Sequence, residues 1–304
     1  MNLEQAKQRV YQAYDNMFKN NCIILEKLYN YLDIVSYYGD SDSWTFFNCL
    51  LLLDQAPHYR NLFDEKWFLE RGAVVNKGEK PVSLIAINTD THKYDVFELF
   101  DQTQTSAAGT SEYLVPVSNS RTTLKALLAS LKTLNWEIIH VDERNVPWKD
   151  WARVKDEGPT VDVGTIVFRD PTPHEEQTMG WDRAYACICR DIWKSYALFY
   201  LFYGDDPISR KSDGAFPMKY LPQSELYADL MCTRYKLFDS HDFVNIPNVL
   251  QGLKYPIKDF RETFEPVIEL MNDTCDLMDH WMDHFINPKD PIDVKLKDEG
   301  SGAD

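Results

Sequence analysis

Two histidines four residues apart, His280 and His284, stand among Asp276, Asp279 and Asp283. On a helix that spacing puts both imidazoles on one face, as in His-Glu-x-x-His, where the rings hold a metal and the glutamate is the general base. Here Trp281 occupies the glutamate position and no third ligand is evident, so a solvated acidic helix face is the better reading. His174-Glu175-Glu176 lies among prolines and reads as surface loop. Cys187 and Cys189 have C-x-C spacing rather than the C-x-x-C of zinc and redox sites. With Cys22, Cys49, Cys232 and Cys275 they are read as buried apolar thiols, not as disulfides. The turn Lys77-Gly78-Glu79-Lys80 sets two ammonium groups beside exposed backbone N–H groups, a small surface for phosphate, although such a turn is also an ordinary hairpin. Gly-x-Ser-x-Gly, P-loop and Gly-x-Gly-x-x-Gly signatures are absent, and 12 glycines leave little material for a nucleotide cradle.

The elements that position these groups follow from periodicity. Apolar residues recur at three- and four-residue spacing over residues 3 to 37, which predicts one or two helices. A buried helix is expected from Trp44 to Leu53, closed by Ala56-Pro57. After a short helix from Asp64 to Glu70, the period becomes that of strands. Ala73 to Val75 and Val82 to Ile87 read as a hairpin around the 76–81 turn, with a third strand from Tyr94 to Phe100. Gln104 to Ser111 is the best linker. Beyond it come a helix over Arg121–Leu134, a strand over Trp136–Val141, a polar loop and a strand over Val161–Phe168. They are followed by the long apolar helix Trp181–Tyr203, a loop over Gly204–Pro217 and a helix over Gln223–Leu237. A last helix pair, Phe260–Phe285, is broken at Pro266.

The chain of 304 residues is 44% hydrophobic and 13% aromatic, a globular composition. No apolar run reaches the roughly 18 residues that span a bilayer, and Met1 to Val10 carries no signal-like apolar stretch, so the cytoplasm is expected. The net charge of −16 argues against a broad non-specific grip on duplex DNA, while leaving room for a local basic groove.

Several motifs occur in a particular order over about 60 residues: Trp44-Thr45-Phe46-Phe47-Asn48, Leu50 to Leu53, Gln55-Ala56-Pro57, Trp67, Gly72, Val75-Asn76-Lys77-Gly78-Glu79-Lys80, Val96-Phe97 and Asp101-Gln102-Thr103. This order resembles the N-terminal DNA-binding domain of ArdC/LtrC-type antirestriction and conjugation proteins. The resemblance implies contact with single-stranded DNA, for which Lys77, Lys80, Trp67 and Gln102 are the candidate residues, with Trp44 or Trp67 stacking on bases.

The same resemblance implies a zincin-like domain in the second half: a strand, a helix bearing His-Glu-x-x-His, and a later helix bearing a ligand glutamate. Gly164–Phe168 and Trp181–Tyr203 are similar to the first two elements, and Glu225, Ala228, Cys232 and Tyr235 match the later helix. At the metal-binding position the chain reads Arg190-Asp191-Ile192-Trp193-Lys194. Zinc needs neutral nitrogen, thiolate or carboxylate lone pairs, and a guanidinium or an ammonium offers none. The implied reading is a degenerate metal site of Arg190, Asp191, Lys194 and Glu225. It would have no catalytic residue, metal or cofactor, and both cations would pair with Glu225 in place of the metal.

The expected architecture is therefore α+β. It comprises an N-terminal helical segment (1–38), a small ArdC-N-like α+β domain (39–115), a mainly helical zincin-like domain (116–286) and a polar tail (287–304). The expected function is non-enzymatic: a phage or mobile-element protein, active in a bacterial host cell, that counters restriction or assists DNA transfer by binding single-stranded DNA. The rival expectation is an acidic interaction protein that blocks a host restriction or CRISPR protein without touching DNA. Between Asp40 and Glu112 twelve acidic residues face six basic ones, which favours the rival. No membrane partner is expected.

Overall fold

A computed structural model describes residues 1–19, 22–38, 45–88, 90–108, 119–141, 152–154, 164–203, 221–238 and 257–286. Trp44, the expected boundary near 115 and the tail from 287 lie outside these residues. The first helix, α1 (Leu3–Asn16), starts at a reciprocal capping box between Asn2 and Gln5 and buries Ala6, Val10, Ala13 and Tyr14 on one face. A two-residue antiparallel pair, β1 (Phe18–Lys19) with β2 (Cys22–Ile23), divides it from α2 (Leu25–Tyr38). Helix α3 (Phe46–Gln55) is N-capped by Thr45 and buries every residue from Leu50 to Leu53, so it runs through the interior. Its apolar surface explains why no clean amphipathic period marks it in the sequence.

The first sheet holds β3 (Leu62–Phe63), β4 (Val82–Asn88) and β5 (Lys93–Asp101) in the order β3-β5-β4, all antiparallel. The short helix α4 (Glu65–Glu70), capped by Asp64, follows β3. The expected hairpin between Ala73–Val75 and Val82–Ile87 does not form. Val82 pairs with Leu99, and Asn88 with Lys93, so the partner of β4 is β5. Val75 instead makes one bridge to Thr105, with the Asn76 N–H donating to the Gln104 carbonyl at 2.8 Å. Gln104 also donates through Nε2 to the Lys80 carbonyl and to Glu79 Oε2, holding the 76–81 segment beside residues 104–106. Gln104 is buried in that role, so the start of the expected linker is part of the fold.

The outer edge of β4 is closed by side chains rather than a strand. Asn48 donates to the Ile85 carbonyl at 2.7 Å and accepts from the Ile85 N–H at 2.8 Å. Gln55, seven residues on along α3, makes the same exchange with Ser83 at 3.0 Å in both directions. Seven helical residues rise about 10.5 Å and two strand residues about 6.7 Å, a mismatch that the extra methylene of Gln55 helps to bridge.

The second half packs helices over a mixed sheet. Helix α5 (Ser120–Thr133) leads to β6 (Glu137–Val141), which runs parallel to β8 (Thr165–Arg169). The expected polar loop between them contains β7 (Ala152–Val154), antiparallel to β8, giving the order β6-β8-β7. Gly164, just before β8, lies against Trp136; a Cβ built there would stand 2.2 Å from the indole. The 173–179 segment is not a loop. Pro173 sits in the first turn of α6 (Pro173–Met179) and Thr172 forms a capping box with Glu175, whose carboxylate also receives Arg169 at 2.8 Å. Helix α7 (Trp181–Tyr203) matches its expected span, and α8 (Leu221–Arg234) packs along it.

The final helix, α9 (Ile257–Ile286), is continuous through Pro266. Proline removes the N–H that would reach the Glu262 carbonyl. Gln223 of α8 supplies the missing donor, 3.2 Å from that carbonyl and 3.4 Å from the Thr263 carbonyl. Arg234, at the end of α8, is buried and joins three elements: it donates to the Ser36 and Tyr37 carbonyls at the C-terminus of α2 and to Asp279 of α9. Asp279, half-buried, also accepts from Tyr235, so it is a bonded member of the helix packing rather than part of a fully solvated acidic face. The apolar core is continuous from Ala6 to Met282, crossing the expected boundary after residue 38. The architecture is α+β and mainly helical. Among the described residues no helix is long and apolar enough to cross a membrane.

Candidate functional site

Helices α7 and α8 pack against each other, and Cys189 on one and Ala228 and Cys232 on the other are fully buried. Ala228, Cys232 and Tyr235 point into the core, which turns Glu225 and Asp229, at i,i+4, towards α7. Arg190 and Lys194 of α7 are likewise one turn apart. Arg190 reaches Glu225 Oε2 through a terminal nitrogen and Asp229 Oδ1 through Nε, both at 2.6 Å. Lys194 Nζ lies 2.5 Å from Glu225 Oε1. The sequence reading places Arg190, Lys194 and Glu225 together, and they do meet; Asp191, beside Arg190 on α7, is half-buried. Asp229 is the member that sequence reasoning missed, though its i+4 distance from Glu225 was a usable signal.

Two cations and two carboxylates in this arrangement balance in charge. Burial pushes Glu225 up, but hydrogen bonds and charge from Lys194, then Arg190, outweigh it and hold the carboxyl below its ordinary range. Burial dominates at Asp229, which is only 1% exposed; Arg190 opposes it, and the group is pushed up to about 6. Burial also works against the charge of Arg190, but Asp229 and Glu225 more than restore it, so the guanidinium stays protonated. A divalent ion of the kind a zincin-like domain implies does not fit these residues. Both Glu225 oxygens are engaged by cations, and neither Arg190 nor Lys194 has a lone pair to give. Among the described residues no group of three or more His, Cys, Asp or Glu side chains is placed to hold a metal. His280 and His284 flank Trp281, with ring centroids 5.7 and 5.6 Å from the indole. What the cluster can do is cross-link α7 to α8.

The four DNA candidates fall in different places. Lys77 and Lys80 are exposed on the 77–80 turn. Trp67 is not open to a base. Phe63 stacks on it at 3.7 Å and 5°, and the Arg71 guanidinium lies 3.8 Å from its ring centre. Two groups that close to one ring centre must occupy opposite faces, so the indole is sandwiched. Gln102 is 5% exposed and spends its amide inside, donating to the Ala107 carbonyl and accepting from Asn61. Asp101 beside it accepts from the Arg60 and Asn61 N–H groups. The Asp101-Gln102-Thr103 motif thus braces the fold, and the neighbouring Gln104 fixes the basic turn. Of the cysteines, Cys49, Cys189, Cys232 and Cys275 are buried and Cys187 is half-buried, its thiol pushed up by burial to about 11.

The 77–80 turn borders a cleft of about 920 Å³. Helix α1 forms its opposite wall with Gln8, Arg9 and Gln12, while Tyr59, Lys80 and Ser83 line the other side.

No family model matches the sequence, and no curated protein matches it. Among solved structures the chain is similar to the Mn(II)-bound antirestriction protein ArdC from the R388 plasmid, at 14% identity and a TM-score of 0.46, covering 92% of this chain and 97% of that one. The metal-free structure of the same protein is similar at 15% identity and a TM-score of 0.42, covering 85% and 98%.

Proposed function

We propose that this chain is a non-enzymatic antirestriction-type protein of a phage or other mobile element. Its first α+β unit would engage unpaired DNA, and its second unit would be a zincin-like scaffold without a metal. The observation that carries the non-enzymatic part is the cluster of Arg190, Lys194, Glu225 and Asp229, in which cations stand where a hydrolase would need lone pairs. The strand-binding part is supported by the motif order and by the exposed ammonium groups of Lys77 and Lys80 beside a cleft. Expression in a restricting bacterial host, followed by delivery of unmodified DNA, tests it. The expected result is a raised yield of established DNA that does not depend on added metal. An unchanged yield would reject the reading.

A second reading has one specific observation behind it. Glu262, Glu269, Asp273, Asp276 and Asp283 are all exposed along α9, at spacings near whole turns. This acidic stripe favours a protein that occupies a defence protein's basic channel. Restriction relief without any affinity for DNA would favour it over the first.

A further inference from the structure

Helix α1 presents a second stripe away from its buried one: Gln5, Gln8, Arg9 and Gln12, at i, i+3, i+4 and i+7, all exposed, with Arg9 3.7 Å from Asp54. Gln8, Arg9 and Gln12 face the cleft across from Lys80 and Tyr59. A carboxamide combines donors and an acceptor, and a guanidinium adds donors, in the flat geometry that matches the edges of nucleobases, and a tyrosine ring offers a surface for stacking. The cleft's two carboxylates are already engaged, Asp54 by Arg9 and Glu79 by the Gln104 amide at 3.0 Å. A site so nearly neutral suits a base rather than a phosphate, whereas the exposed ammonium groups of Lys80 in its lining and of Lys77 on the same turn suit the backbone. The volume falls within the range of about 300–1,000 Å³ typical of small-ligand pockets, room for a base and its sugar with space to spare.

We propose that the cleft between α1 and the 77–83 segment is a nucleobase site, filled by bases of an unpaired strand whose phosphates pass Lys80 and Lys77. The inference rests on the strand-binding reading and adds to it a wall from α1, outside the segment that carries the ArdC-like motifs. Gln8 and Gln12 carry base recognition, Tyr59 carries stacking, and the two lysines carry the salt-dependent part. A duplex has its Watson–Crick edges paired and its base faces stacked, so neither can enter the cleft and the duplex is excluded.

The test uses the full chain and a fluorescent single strand of about 20 nucleotides at about 50 mM salt, read by anisotropy, with the matching duplex as control. The wild type binds the strand and not the duplex. The Gln8→Ala/Gln12→Ala variant, which keeps the helix because alanine is a good helix former, loses about tenfold or more in affinity with an unchanged salt slope. Lys77→Ala/Lys80→Ala weakens binding and flattens the slope. Strand binding by the wild type that both glutamine substitutions leave intact overturns the cleft assignment while the strand-binding reading stands. If the strand does not bind, strand binding falls. The cleft is then judged by adding free deoxynucleosides and following the Gln8 and Gln12 side-chain amide signals by NMR. Shifts confined to those residues keep a nucleobase site that serves free nucleosides, and unshifted signals remove it.

Discussion

Arg190 and Glu225 meet at 2.6 Å across the interface of α7 and α8, and Lys194 holds the other carboxylate oxygen at 2.5 Å. One side chain therefore satisfies two cations, and its loss leaves both without it in a half-buried site. Glu225→Ala is expected to destabilise the protein by about 3 kcal/mol. In a thermal melt that is a drop of roughly 6 °C or more. A melt unchanged within a degree or so would mean that the cluster contributes no cross-link.

The same cluster sets a pH dependence. Asp229 is raised in the folded state to about 6, so its contribution to stability is present below its ordinary unfolded value and is lost as pH rises through about 6. Glu225 is lowered, so its contribution is present above its ordinary value and is lost as pH falls below it. Asp229→Asn keeps an acceptor for Arg190 and removes the titration. The melting temperature of the wild type relative to this variant should fall between about pH 4 and pH 6 and level off above. A difference that stays constant over that interval would contradict the burial argument.

Asn48 and Gln55 illustrate what was legible in the sequence and what was not. Their motif, with Phe46 and Pro57, is visible as a pattern and suggested a family, but a pattern does not say what an amide bonds to. In the fold both amides serve the edge of β4. Asn48→Ala leaves the half-buried N–H and carbonyl of Ile85 without that partner and is expected to cost about 1–3 kcal/mol. The Ile85 amide should exchange its hydrogen markedly faster while amides in α7 keep their protection. Unchanged exchange at Ile85 would show that another group closes the edge.

Pro266 gives a second lesson. A proline within a helical pattern normally ends the helix, and nothing local in the sequence says otherwise. The donor that rescues α9 is Gln223, about 40 residues earlier, and only the packing of α8 on α9 brings it there. A double-mutant cycle tests the link. Gln223→Leu should cost about 1 kcal/mol in the wild type and clearly less in Pro266→Ala, where an N–H returns to the Glu262 carbonyl. Additive effects would separate the two residues.

The helices and strands with long, regular periods were read close to their observed spans, as with Trp181–Tyr203. Failures came where long-range contacts overrule local signals. Val75 pairs with Thr105 instead of the nearer β4 because Gln104 holds the turn. The strand β7 sits within a polar stretch, and α6 forms where prolines suggested a loop, its first turn accommodating Pro173. In the site, charge type was readable from Arg190 and Lys194, and so was their pairing with Glu225. The stacking of Phe63 and Arg71 on Trp67 was not, because neither partner is distinguished in sequence from any other neighbour of that tryptophan.

Metal binding by the purified chain is the most direct test of the idea that ionic pairing has taken over the helix cross-link. Metal content would be measured by mass spectrometry and binding by calorimetry with Zn(II) and Mn(II). The predicted result is no stoichiometric ion and no heat of binding at the cluster. One ion per chain, lost in Glu225→Gln, would contradict it.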